Sequence, residues 1–134
     1  MTLRAVADTH AAIWYLFGDS RLSPAARTAF EQAATAGDEV GISAITLVEI
    51  VYLAEKGRVP PETLPRIQAA LESGDSVLAE LALDGAVVRA LAEVPRGDVP
   101  DLPDRVIAAT AVRAGVPVIS RDRRIAISRV PTIW

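Results

Sequence analysis

The sequence predicts an α/β fold, a single domain with a central, mainly parallel sheet flanked by helices. Three observations carry that prediction. Short apolar runs alternate along the chain with longer stretches of helical period. Those short runs are apolar at consecutive rather than alternate positions, the pattern of strands covered on both faces. The 134 residues, 51% of them hydrophobic, can bury a real core, and no repeat, long linker or low-complexity tract divides them. One domain over residues 1–134 follows.

Taken in order, "LRAVA" (3–7) is a buried strand, and "HAAIWYLF" (10–17) is a short apolar helix ended by Gly18. The next helix has Ser23 as N-cap and Pro24 at its first position, and it stops at Gly37. "EVGIS" (39–43) is a second strand. A helix capped by Ser43 then runs to Gly57, and another settles after Pro65. "SVLAELAL" (76–83) is a strand, and residues 84–94 form a helix N-capped by Asp84. After the Pro-rich loop "RGDVPDLP", the helix "PDRVIAATAVRAG" is apolar almost all round and belongs in the core. "VPVIS" (116–120) and "VPTIW" (130–134) complete the sheet.

Composition excludes several functions. Without cysteine there is no disulfide framework, thiolate zinc site or cysteine nucleophile. No apolar run approaches the roughly 18 to 20 residues of a membrane span, and the N-terminus lacks the apolar core of a signal peptide, so a cytoplasmic protein is expected. Net charge is −3 but uneven. Residues 1–100 carry 8 basic and 14 acidic side chains, whereas residues 101–134 carry 6 arginines against 3 aspartates. An acidic chain with an arginine-rich end can meet a polyanion locally without binding nucleic acid everywhere. Lys56 is the only lysine, so phosphate contacts fall to the forked guanidinium.

Four acids stand out, and two of them sit where a parallel α/β fold places ligands, outside the carboxyl ends of strands. Asp8 follows the first strand directly, and Asp122 follows "VPVIS" with only Arg121 between. Asp104 lies at the start of the buried helix, and Glu49 is the only charge between Gly41 and Glu55. Each also has a structural role open to it. Asp8 can form an Asx-turn, Asp104 can cap its helix, and Asp122 can be a turn residue paired with arginines. Glu49 can lie on a solvated stripe with Thr46, Tyr52 and Lys56. Together they say more than any one alone. Clustered carboxylates repel unless something positive sits among them, and a hard divalent cation with oxygen ligands is the usual solution. Such a set, without His or Cys ligands, suggests metal-assisted phosphodiester hydrolysis.

"VADTHAAIWYL", "ISAITLVEI" and "LPDRVIAATAVRAGVPVISRD" together resemble PIN-domain proteins, most closely the VapC-type ribonuclease toxins of bacterial toxin–antitoxin systems. The likeness covers essentially the whole chain in order and spacing. It implies a small α/β fold with an acidic pocket binding Mg²⁺ or Mn²⁺ and cutting single-stranded RNA or a structured RNA loop. By position, the family's acids fall on Asp8, Glu49, Asp104 and Asp122. Ser120 stands where the family has Thr or Ser, and Asp101 where it often has a further acid. Between Asp101 and Asp104 this chain has Leu102-Pro103 in place of the usual Pro-Phe. The likeness also implies a cognate antitoxin covering the pocket, and a homodimer. For the latter two, "LVEIVYLA" and "AAIWYLF" offer surplus apolar surface, open equally to core or interface.

Among the neighbouring residues, Thr9 can hold a carboxylate or bond its local backbone. His10, the only histidine, reads as a helix-start residue near the mouth, with an RNA contact or proton shuttle as its functional alternative. Trp14 and Tyr15 read as core or interface. Arg105, Arg121, Arg123 and Arg124 flank the acids and are the arginines placed for phosphate contact. A phosphoacceptor receiver wants adjacent acids after its first strand and a lysine near the end of the sheet, and neither is present. The phosphate loop of a nucleotide binder is missing as well. A non-catalytic RNA-binding or scaffold protein of the same fold is the rival from another class, and it would have lost site acids. All four are here.

Overall fold

In the computed structural model, residues 2–128 and 130–134 are described. Among them the sheet has five strands in the order β3-β2-β1-β4-β5, and every pairing is parallel. β1 is Leu3–Ala7, β2 Glu39–Ser43, β3 Leu78–Leu81, β4 Val118–Ile119 and β5 Thr132–Ile133. Seven helices surround it: α1 Thr9–Leu16, α2 Pro24–Ala36, α3 Ala44–Glu55, α4 Thr63–Glu72, α5 Gly85–Ala90, α6 Leu102–Ala114 and α7 Arg123–Ile127.

Alternation along the strands divides the interior in two. Ala5, Ala7, Val40, Ile42 and Ile119 face a core filled by Trp14, Phe30, Ile50 and Ile67 from α1, α2, α3 and α4. Val6 and Val118 face the other core, with Val87 of α5, Val106 and Ile107 of α6, and Ile125 of α7. Both faces of the sheet are therefore dry, which is why its strands read as unbroken apolar runs. Gly41 lies in β2 beside Val6, and a Cβ there would fall 2.3 Å from the Leu81 side chain, so the two strands are packed around its absence.

Several boundaries follow their sequence signals. Ser23 accepts from Ala26 N at 3.1 Å with Pro24 opening α2, and Gly37 closes it at φ 73°. Ser43 caps α3 through Ile45 N, and Asp84 caps α5 through Val87 N. Others depart from them. α4 begins two residues before Pro65, because a proline in the first turn lacks only an N–H that has no intrahelical partner. The helix expected over 84–94 ends at Ala90 and continues as a 3₁₀ turn, Leu91–Glu93. β4 and β5 keep two residues each of the five expected. Asp122, for which a turn role was open, instead leads into α7 as its N-cap, and Arg129 of the arginine-rich end lies outside the described residues. None of the described helices is long and apolar enough to cross a membrane.

Candidate active site

The strand order places the site. Leaving β1 the chain moves toward β2, while leaving β4 it moves toward β5 on the other side. The loops after β1 and β4 thus part, opening a crevice above two paired strands. Asp8 and Asp122 stand at its two lips. Backbone bonds from Asp8 N to Ile119 O (3.0 Å) and from Ser120 N to Ile133 O (3.1 Å) fix both lips to the sheet. The resulting cleft, about 310 Å³, is lined by Asp8, Glu49, Asp101, Asp104 and Asp122, with Thr9, His10, Trp14 and Arg121.

Each acid is held by local backbone. Asp8 is the N-cap of α1, its Oδ1 accepting from Ala11 N at 2.8 Å, rather than the Asx-turn open to it from sequence. Asp101, not Asp104, caps α6 by accepting from Asp104 N at 3.1 Å. Asp104 then occupies the first turn, where the helix dipole favours an anion and its carboxylate remains available to the cleft. Asp122 caps α7 through Arg124 N at 2.8 Å. Its own N–H donates to Ser120 Oγ at 2.9 Å. Ser120 is buried and favours the charged form of Asp8, so it stands between two of the acids.

Glu49 reaches the cleft from α3, and Thr9 Oγ1 donates to its Oε1. Thr9 Oγ1 also lies 3.1 Å from Thr46 Oγ1. Thr46 is fully buried, so it is no part of the solvated stripe left open for Glu49, on which Tyr52 and Lys56 are exposed. Its signal in the sequence was its place three residues before Glu49, on the same side of one helix.

The electrostatics follow from the crowding. Burial raises the Asp8 carboxyl above its ordinary value, with Ser120, Ala11 N and His10 opposing the shift and Asp122 adding to it. Asp104 is pushed up to about 8, first by burial, then by its hydrogen bond to Asp122 and the charges of Asp101, Asp122 and Asp8. At neutral pH the Asp104 carboxyl therefore keeps its proton, held there first by burial and then by the acids around it.

Only one of the four arginines flanking the acids lines the cleft. Arg121 places its guanidinium 4.8 Å from the centre of the Trp14 ring, and among the described residues it has no carboxylate partner. Arg105 is turned away, donating to Val94 O at 2.7 Å and Leu91 O at 3.0 Å, where it closes the 3₁₀ turn. Arg123 and Arg124 are exposed on α7 outside the lining. Trp14 is buried and Tyr15 stacks on Phe30 at 4.1 Å, as core residues do, although an edge of Trp14 reaches the cleft. His10 is exposed at the mouth, 5.6 Å from the Trp14 ring.

Among the described residues, no three His, Asp or Glu side chains are already drawn together as a metal cage. An octahedral cation such as Mg²⁺ does not need one, because it keeps several waters and takes one or two carboxylates plus substrate phosphate. The donor set is all oxygen, and Asp104, pushed up to about 8 by burial and then by neighbouring acids, sits where a cation would favour its charged form. The residues fit a hard divalent ion.

Comparison with known proteins agrees with this arrangement. The PIN domain family matches residues 5–132. "Ribonuclease VapC22" of Mycobacterium tuberculosis is 31% identical over 130 residues, 95% of each chain. A chain in the crystal structure of VapBC2 from Rickettsia felis bound to a DNA fragment from their promoter superposes with TM-score 0.70 at 13% identity, covering 97% of both chains. A chain of a toxin-antitoxin complex from Klebsiella pneumoniae gives TM-score 0.66 at 22% identity, over 97% of this chain and 96% of that one. At those identities the two structures speak for the fold alone. With the family matched almost end to end, and the sheet order and acidic cleft as described, this chain belongs to the PIN domain family.

Proposed function

We propose that this chain is a metal-dependent endoribonuclease toxin of a toxin–antitoxin pair, a single nuclease domain over residues 1–134 that hydrolyses single-stranded RNA or RNA loops in the cytoplasm. The observation that carries the reading is the convergence of five carboxylates, from four separate segments, in one cleft at the point where the strand order reverses. Its similarity to a protein named as a ribonuclease, over 95% of both chains, supports the same chemistry.

Asp8, Glu49, Asp104 and Asp122 are the residues to hold Mg²⁺ or Mn²⁺. Such an ion, when bound, offsets charge developing on the phosphodiester and acidifies the attacking water. The chain's own contribution is positional. Ser120 and Ala11 N orient Asp8, while Thr9 orients Glu49. Asp101 keeps Asp104 in the first turn of α6 by capping it. Arg121 offers the in-plane N–H fork of a guanidinium to a phosphate entering between the acids.

A cognate antitoxin is the partner that this reading requires. Homodimerisation through α3 accords with Val48 and Tyr52, which are 51% and 59% exposed on successive turns of that helix. The test is cleavage of single-stranded and hairpin RNAs with Mg²⁺, with Mn²⁺ and with EDTA. Metal-dependent cuts within the strand support the reading. Binding without cleavage under all three conditions would mean the non-catalytic alternative.

A further inference from the structure

We propose that Thr46 is a positioning residue for Glu49, acting through a one-directional chain of two buried hydroxyls. The inference deepens the nuclease reading and rests on it for its consequence in catalysis.

The direction follows from counting protons. A threonine hydroxyl has one proton to give and lone pairs to accept with. Thr9 gives its proton to Glu49 Oε1, a carboxylate oxygen that can only accept when ionised. The 3.1 Å contact between Thr9 Oγ1 and Thr46 Oγ1 must then run from Thr46 to Thr9. Thr46 is wholly buried and Thr9 is 3% exposed, so water cannot readily replace either bond.

The chain also joins two elements. Thr9 opens α1 immediately after Asp8, whereas Thr46 and Glu49 share α3. The same hydroxyls therefore tie the carriers of two cleft acids together. Glu49 is half-buried and has no arginine or lysine partner among the described residues. Engaging Oε1 restricts a long, rotatable side chain and leaves Oε2 for the cleft. Residues that orient a metal-binding carboxylate from behind typically change affinity 10- to 100-fold when removed.

The experiment compares Thr46→Val, which keeps the shape and loses the hydroxyl, with Thr46→Ser, which restores it. In the metal-free protein, NMR should detect a slowly exchanging Thr9 hydroxyl proton whose exchange Thr46→Val speeds and Thr46→Ser leaves slow. Thr46→Val should weaken Mn²⁺ binding by about tenfold and lower kcat on RNA with KM unchanged, and Thr46→Ser should stay close to the parent. Unchanged hydroxyl signal and Mn²⁺ affinity in Thr46→Val overturn the proposal and leave the nuclease reading intact. A Thr46→Ser protein as weak as Thr46→Val overturns it too, since shape rather than the proton would then matter. A parent that shows the hydroxyl relay yet cleaves no RNA with Mn²⁺ supports the positioning of Glu49 and overturns the nuclease reading alone.

Discussion

If the cleft acids hold a divalent ion as proposed, its binding displaces a proton from Asp104. Burial, and then the Asp122, Asp101 and Asp8 carboxyls beside it, push the Asp104 carboxyl up to about 8 from 3.8. With one group titrating near 8, roughly nine-tenths of the sites carry the proton at pH 7, so binding there releases about 0.9 proton. The apparent Kd for Mn²⁺ then tightens about ninefold from pH 6 to 7 and about fivefold from 7 to 8, levelling off above roughly 9. Isothermal titration in two buffers of different ionisation enthalpy reads both quantities directly. Asp104→Asn removes the group, so its affinity is weaker at pH 8 and nearly independent of pH. A parent protein that binds Mn²⁺ equally well at pH 6 and 8, with no proton released, refutes the reasoning.

Further outcomes follow from the same geometry. Without metal, the folded protein keeps a proton on Asp104 that the unfolded chain has lost above about pH 4, so stability in EDTA falls as pH rises from about 4 to 8. Thermal melts should show this slope reduced in Asp104→Asn, which should melt above the parent in EDTA at pH 8. Mn²⁺ at about 100 times its Kd should stabilise the parent by roughly 2.7 kcal/mol, or about 10 °C for a chain of this size, and should move the variant much less. Arg121→Ala should lower the salt slope of RNA binding by about 1, and more than either Arg123→Ala or Arg124→Ala, because only Arg121 lines the cleft. Arg105→Ala should destabilise by about 1–3 kcal/mol in denaturant unfolding, since it takes the guanidinium donor from the buried Val94 carbonyl and leaves Leu91 O with Val94 N alone, while leaving that salt slope unchanged.

What the sequence revealed depended on how local the cause was. Ser23-Pro24, Ser43 and Asp84 announce helices because a cap bonds to backbone two or three residues away. The acids after β1 and β4 could be placed because strand ends in a parallel sheet share one side. Asp101 hid behind Asp104 because both lie at the start of the same helix, and only the backbone conformation shows which one caps it. α7 was missed because five residues are too few to establish a helical period, and "SRDRR" has the chemistry of a turn. Arg105 could not be read at all, since its carbonyl partners lie 11 and 14 residues earlier in a 3₁₀ turn that the pattern did not reveal. Thr46 belongs to the same class, being joined to Thr9 across 37 residues.

The central claim is that the cleft acids act together on RNA through a divalent ion. It is tested most directly by single-turnover cleavage of a labelled RNA by the parent and by Asp8→Asn, each with Mn²⁺ and with EDTA, after circular dichroism has shown both to be folded. The account predicts cleavage by the parent with Mn²⁺ alone. It predicts a loss of at least about a hundredfold in Asp8→Asn, because an amide cannot supply the anionic oxygen that a hard cation requires. Equal cleavage by the two proteins, or cleavage by the parent that persists in EDTA, would contradict it.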